Sequence, residues 1–138
     1  MVPSRALLAL YLCLAPAGLQ DSKKATETVL VTHRVREGKE AEYLGLLARE
    51  WSTLRRLGLV LERPHIILRG SEEQGKTILV EILTWKDHET PDNAPPEVEQ
   101  IWSELEGLAE KRFGHRGIEF PEFEIVAMED CGSGSIPR

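Results

Sequence analysis

Apolar and polar positions recur along this chain with two different periods, and the periods take turns. The run Glu27-Thr28-Val29-Leu30-Val31-Thr32-His33-Arg34-Val35 is rich in β-branched residues and ends at Gly38, which predicts a strand. Between Lys39 and Leu57, Leu44, Leu47, Ala48, Trp51 and Leu54 recur at helical spacing, and Gly58 supplies a C-terminal stop. Two further apolar runs, Val60 to Arg69 and Lys76 to Trp85, are joined by Gly70-Ser71-Glu72-Glu73-Gln74-Gly75 and predict a β-hairpin with a long loop. Pro64 cannot donate a ladder hydrogen bond, so the first of these strands is expected at a sheet edge or bulged. Beyond Pro91, Pro95 and Pro96, a second helix from Glu97 to Arg112 presents Val98, Ile101, Trp102, Leu105, Leu108 and Ala109 on one face, with Pro96 suited to its first turn. A last strand near Glu122 to Met128 alternates Phe123, Ile125 and Ala127 with Glu122 and Glu124.

The order β-α-β-β-α-β is that of a ferredoxin-like α+β fold, in which two helices cover one face of a four-stranded antiparallel sheet. On the third strand Ile78, Val80 and Ile82 point one way, while Leu79, Glu81, Leu83 and Trp85 point the other, so both faces are apolar apart from Glu81. One face is left without helices, and an apolar patch of that size calls for cover. A two-fold homodimer, sheet against sheet, supplies it.

The start of the chain follows another rule. Arg5 precedes an uncharged run from Ala6 to Ala15, too short to span a bilayer, which ends at Ala15-Pro16-Ala17 with small residues where a signal peptidase reads. The expected organisation is a signal peptide at 1–17, a linker at 18–26, one domain at 27–128 and a Gly/Ser-rich tail at 129–138. Export to a periplasmic or extracellular location follows, with no stable membrane span after cleavage. Removal of the leader takes Cys13 and leaves Cys131 as the only cysteine, so no intrachain disulfide is expected. The 138 residues suit one core, and a formal net charge of -6 sets nucleic acid aside, because phosphates demand a surplus of Lys and Arg.

The run Thr77-Ile78-Leu79-Val80-Glu81-Ile82-Leu83-Thr84-Trp85-Lys86, followed by Pro95-Pro96-Glu97-Val98 and Ile101-Trp102, resembles the dimeric α+β barrel superfamily, and within it the antibiotic biosynthesis monooxygenase-like domains. The resemblance covers roughly Thr28 to Met128 and implies pairing as a dimeric α+β barrel. Its members include cofactor-independent quinol and polyketide oxygenases, haem-degrading enzymes and isomerases. Many of those relatives carry a His just before the second helix, where this chain has Asn93-Ala94-Pro95-Pro96. The predicted second helix has no His to serve as a haem ligand, and no cofactor is expected.

No phosphate loop, paired cysteines or closely spaced His pair is present. His88 and His115 fall in polar loops and read as solvated surface. Glu81 is different, because a carboxylate in an apolar strand needs a partner or a task. A structural reading gives it an ion pair with Arg63, Arg34 or an arginine of a second copy. A functional reading makes it a base with a raised pKa, helped by His33 or His65, in a cavity between the sheet and the second helix. Trp85 and Trp102 would then form the walls, with Arg63 also contacting substrate. Two functions remain open: a cofactor-independent monooxygenase or isomerase acting on a small aromatic or quinol-like compound, and a non-enzymatic exported dimer that binds a small apolar ligand or a protein partner.

Overall fold

A computed structural model describes residues 25–123 of the chain. The leader expected at 1–17, Cys131 with the tail, and the strand positions 124–128 lie outside the described residues. The elements run β1 (Glu27–Arg34), α1 (Glu40–Arg56), β2 (Ile66–Ser71), β3 (Thr77–Trp85), α2 (Pro96–Leu108), β4 (Ile118–Glu119) and β5 (Glu122–Phe123). β2, β3, β1 and β4 lie side by side in that order, all antiparallel, with β5 also on β1. The offset between partners is the same for β4 and β5, so they form one strand interrupted at Phe120 and Pro121, where proline removes a ladder donor. This is the ferredoxin-like arrangement, as the periodicity predicts.

Pairing sets which residues face the helices. Val29 lies opposite Leu83, Val31 opposite Glu81 and His33 opposite Leu79. With Trp85, these form the covered face of the sheet. Tyr43, Leu47 and Leu54 of α1 and Val98, Ile101 and Leu105 of α2 are buried in the core clusters that include Leu79 and Leu83. The other face carries Ile66, Leu68 and Phe123, all exposed. No helix among the described residues is long and apolar enough to cross a membrane.

Several boundaries move. Val60 makes only an isolated bridge to Trp85, and the hairpin strand begins at Ile66, past the cis Arg63–Pro64 bond, because Pro64 cannot pair. α2 ends at Leu108 rather than Arg112: Ala109 is extended and bridges Val35, and Glu110 N–H donates to the Arg34 carbonyl. Gly58 stops α1 as predicted. It takes a positive φ of 66°, and Leu59 N–H donates to Leu54 O at 3.0 Å.

Candidate functional site

A chamber of about 390 Å³ opens between the covered face of the sheet and α2. β1 contributes Val29, Val31 and His33 to its lining, β3 contributes Glu81, Leu83 and Trp85, α1 contributes Glu50, and α2 contributes Trp102, Leu105 and Glu106. Ile118 and the exposed Phe120 close one side, with Glu27, His88 and Asp92 as further polar lining. Trp85 and Trp102 both line the chamber and meet edge to face, centroids 6.2 Å apart.

Glu81 is 1% exposed, at the centre of β3. Its Oε1 lies 2.8 Å from His65 Nε2, and its Oε2 lies 3.5 Å from His33 Nε2, a long ion-pair distance rather than a good hydrogen bond. The geometry follows from the strand period. Ile67 pairs with Glu81, so His65, two residues earlier, projects onto the same face, and His33 sits diagonally across from Glu81 on β1. Tyr43 of α1 holds His33 Nδ1 at 2.8 Å, and the Trp51 ring stacks on His65 at 3.8 Å with the planes 6° apart. His33 lines the chamber, whereas His65 is not among its lining residues and keeps a side chain 18% exposed.

Burial pushes the Glu81 carboxyl up, but the close contacts and charges of His33 and His65 outweigh it and hold the group below its ordinary value. The expected raised pKa is therefore not on Glu81, because its two imidazole partners favour the ionised form. It is on Glu50, pushed up to about 8 by burial and then by the negative charge of Glu81, against a lowering hydrogen bond from Trp102. Burial, followed by the charges of Glu50 and Glu81, also raises the Tyr43 phenol.

Neither arginine of this chain offered as a partner for Glu81 is in place. Arg63 is exposed in the turn before β2 and is not among the residues lining the chamber. Arg34 points to the other side of β1, where it pairs with Glu72 at 2.6 Å and Glu119 at 3.0 Å; Arg112 adds a third arm on Glu72 at 2.9 Å. That cluster ties the β2–β3 loop to the end of β1 and to the segment that runs from α2 to β4. His115 is exposed, as is His88, which reaches Glu27 at 3.0 Å on the chamber lining.

Glu50 and Tyr43 are the site residues that the helical pattern misses. Counting Leu44, Leu47, Ala48, Trp51 and Leu54 as one face centres the stripe wrongly, since Ala48 is exposed while Tyr43, Leu47, Glu50 and Leu54 are buried. Those four follow each other at steps of four, three and four residues, a helical stripe with one acid in it. That acid in phase with Leu47 and Leu54 was the available signal.

A scan against protein families gives no match, and a search of curated proteins gives none. Solved structures do match. The chain is similar to SnoaB, a cofactor-independent oxygenase from Streptomyces nogalater, in a mutant form, at 19% identity over 75% of this chain and 95% of that one, with a TM-score of 0.57. A candidate antibiotic biosynthesis monooxygenase from Bacteroides thetaiotaomicron matches at 13% identity over 76% and 93%, with a TM-score of 0.55. A dimeric ferredoxin-like protein of unknown function from Jannaschia matches at 17% identity over 73% and 100%, with a TM-score of 0.52. These likenesses establish the ferredoxin-like α+β fold.

Proposed function

We propose that the chain is a cofactor-independent oxygenase acting on a small aromatic or quinol-like compound bound in the chamber between sheet and α2. The observation that carries this reading is the Glu81 carboxylate, buried at the chamber and held ionised by two histidines beside an aromatic wall. Oε1 is tied to His65, while Oε2 has only the longer contact to His33. Oε2 is thus the oxygen free to accept an acidic proton from a bound substrate. The charge left on the ring system is stabilised by delocalisation, and His65 offers a route for the proton toward solvent. The carbanion passes one electron to dioxygen, and recombination gives a peroxide. Loss of water then leaves a carbonyl, so that a CH₂ and O₂ become C=O and H₂O. Isomerisation requires only the first half of this sequence, with the proton returned at another carbon.

SnoaB supports the oxygenase reading through its fold. A second reading, a dimer that binds an apolar ligand without turnover, is favoured by Asn93-Ala94-Pro95-Pro96, which puts no imidazole immediately before α2. The open sheet face, with Ile66 and Leu68, is the surface through which two copies would pair, and the Jannaschia neighbour is dimeric. The leader pattern at 1–17 supports export.

Oxygen uptake by the full chain should be measured with a panel of mono- and bicyclic hydroquinones, alongside Glu81→Gln. Uptake above the uncatalysed rate that falls at least about a hundredfold in the variant is expected. Ligand binding without any uptake would favour the second reading.

A further inference from the structure

Of the carboxyl groups that line the chamber, only those of Glu81 and Glu50 are buried, and they are not equivalent. Glu81 comes from the sheet and has both oxygens directed at histidines. Glu50 comes from α1 on the helix side, is 5% exposed, and receives the Trp102 indole N–H on Oε1 at 2.5 Å. Its Oε2 is buried and has no hydrogen-bond partner among the described residues. Buried polar atoms in folded proteins are nearly always paired, so an orphan of this kind on a cavity wall needs an explanation.

The chemistry of Oε2 follows from that of Oε1. An indole N–H only donates, so Oε1 serves as acceptor and has the character of a carbonyl oxygen. Burial and the negative charge of Glu81 both oppose ionisation of Glu50. The neutral acid carries its hydrogen on the oxygen that Trp102 leaves alone. Oε2 is therefore an O–H donor with no acceptor among the described residues, on a side chain that lines the chamber.

We infer that, in the chamber proposed above as a ligand site, Glu50 donates a hydrogen bond from Oε2 to a carbonyl or quinone oxygen of the ligand. The ligand class is thereby narrowed to aromatic compounds that carry both an oxygen acceptor, for the helix wall, and an acidic proton, for Glu81 on the sheet wall. A plain phenol or hydrocarbon satisfies one wall and leaves the Glu50 hydroxyl unpaired. Seating the acceptor oxygen on Glu50 also withdraws electron density from the ring, which favours loss of the proton at the other end.

A matched pair of probes tests this: 6-hydroxytetralone, and the tetrahydronaphthol that has CH₂ in place of its ketone. Binding of each to the full chain is followed by tryptophan fluorescence quenching at mildly acidic pH, where both phenols are neutral. The wild type is expected to prefer the ketone by roughly tenfold, the worth of one buried hydrogen bond. Glu50→Leu reduces the preference to within about twofold while leaving tetrahydronaphthol affinity little changed, and Glu50→Gln keeps it, because the amide N–H donates from the same place. The infrared carbonyl stretch of the ketone bound to the wild type gives a readout independent of any variant's folding. It is expected at lower frequency than in an apolar solvent. A preference that survives Glu50→Leu, no preference in the wild type, no binding of either probe at millimolar concentration, or an unshifted carbonyl stretch would each overturn the assignment. Turnover is not read in either measurement, so a lack of oxygen uptake counts against the oxygenase reading alone.

Discussion

Replacing Glu50 by Gln is expected to stabilise the protein, and to do so more as pH rises. The carboxyl is held at about 8 against an ordinary value of 4.5, chiefly by burial. Its folded-state value lies above its unfolded one, so between about 4.5 and about 8 the folded chain binds more protons than the unfolded chain, and stability falls as pH rises through that window. At 1.36 kcal/mol for each tenfold change in proton affinity, the handicap is roughly 3 kcal/mol at pH 7 and roughly 4 kcal/mol at pH 8, then levels off. Gln reproduces the neutral acid: its oxygen accepts from Trp102, its amide takes the place of the protonated Oε2, and it never ionises. Glu81, held low, titrates on the acid side of the window and is common to both proteins. Urea unfolding followed by tryptophan fluorescence should therefore give nearly equal stabilities near pH 4 and a Glu50→Gln protein more stable by roughly 4 kcal/mol near pH 8. Parallel stability curves across that range, or a variant less stable at pH 8, would refute the protonated-acid account of Glu50.

Trp102→Phe removes the hydrogen bond that lowers Glu50, so the Glu50 carboxyl is expected to titrate above its present value of about 8; carbon-13 NMR of labelled Glu reads this directly. Gly117→Ala places a Cβ 2.9 Å from Ala109 Cβ and 3.1 Å from the Glu110 nitrogen, where neither neighbour can rotate away, and a loss of about 1 to 3 kcal/mol is expected in the same urea assay. Leu68→Lys puts a charge on the open sheet face, and light scattering should show a wild-type dimer and a variant monomer of otherwise unchanged circular dichroism.

The fold was legible because each strand and helix announced its period, and because the β-α-β-β-α-β order admits few topologies. Glu81 was legible for the same reason: it is one charge in an otherwise apolar face of β3. Its partners were only half legible. Strand parity brings His33 and His65 to that face once the register is known, but no pattern in the sequence fixes the register, and so arginines stood as the ion-pair partners of Glu81. Arg63 was lost to a turn, since Pro64 delays the strand until Ile66. Glu50 was missed because the helical stripe was centred on Ala48 and Trp51, a rotation of less than half a turn that moves an acid from the surface to the chamber wall. The direction of each acid's pKa shift depends on what surrounds it, and that is tertiary information.

The proposed chemistry stands or falls on proton removal inside the chamber, and this can be watched without oxygen. Under argon in D₂O, the benzylic C–H next to the ketone of 2-tetralone exchanges for deuterium only through its enolate, and proton NMR follows the loss of signal. The full chain is expected to speed this exchange at least about a hundredfold over buffer, with the gain abolished by Glu81→Gln and by an excess of 6-hydroxytetralone as a competing ligand. Exchange at the buffer rate, or an acceleration that Glu81→Gln leaves intact, would contradict the assignment of Glu81 as the group that takes the proton.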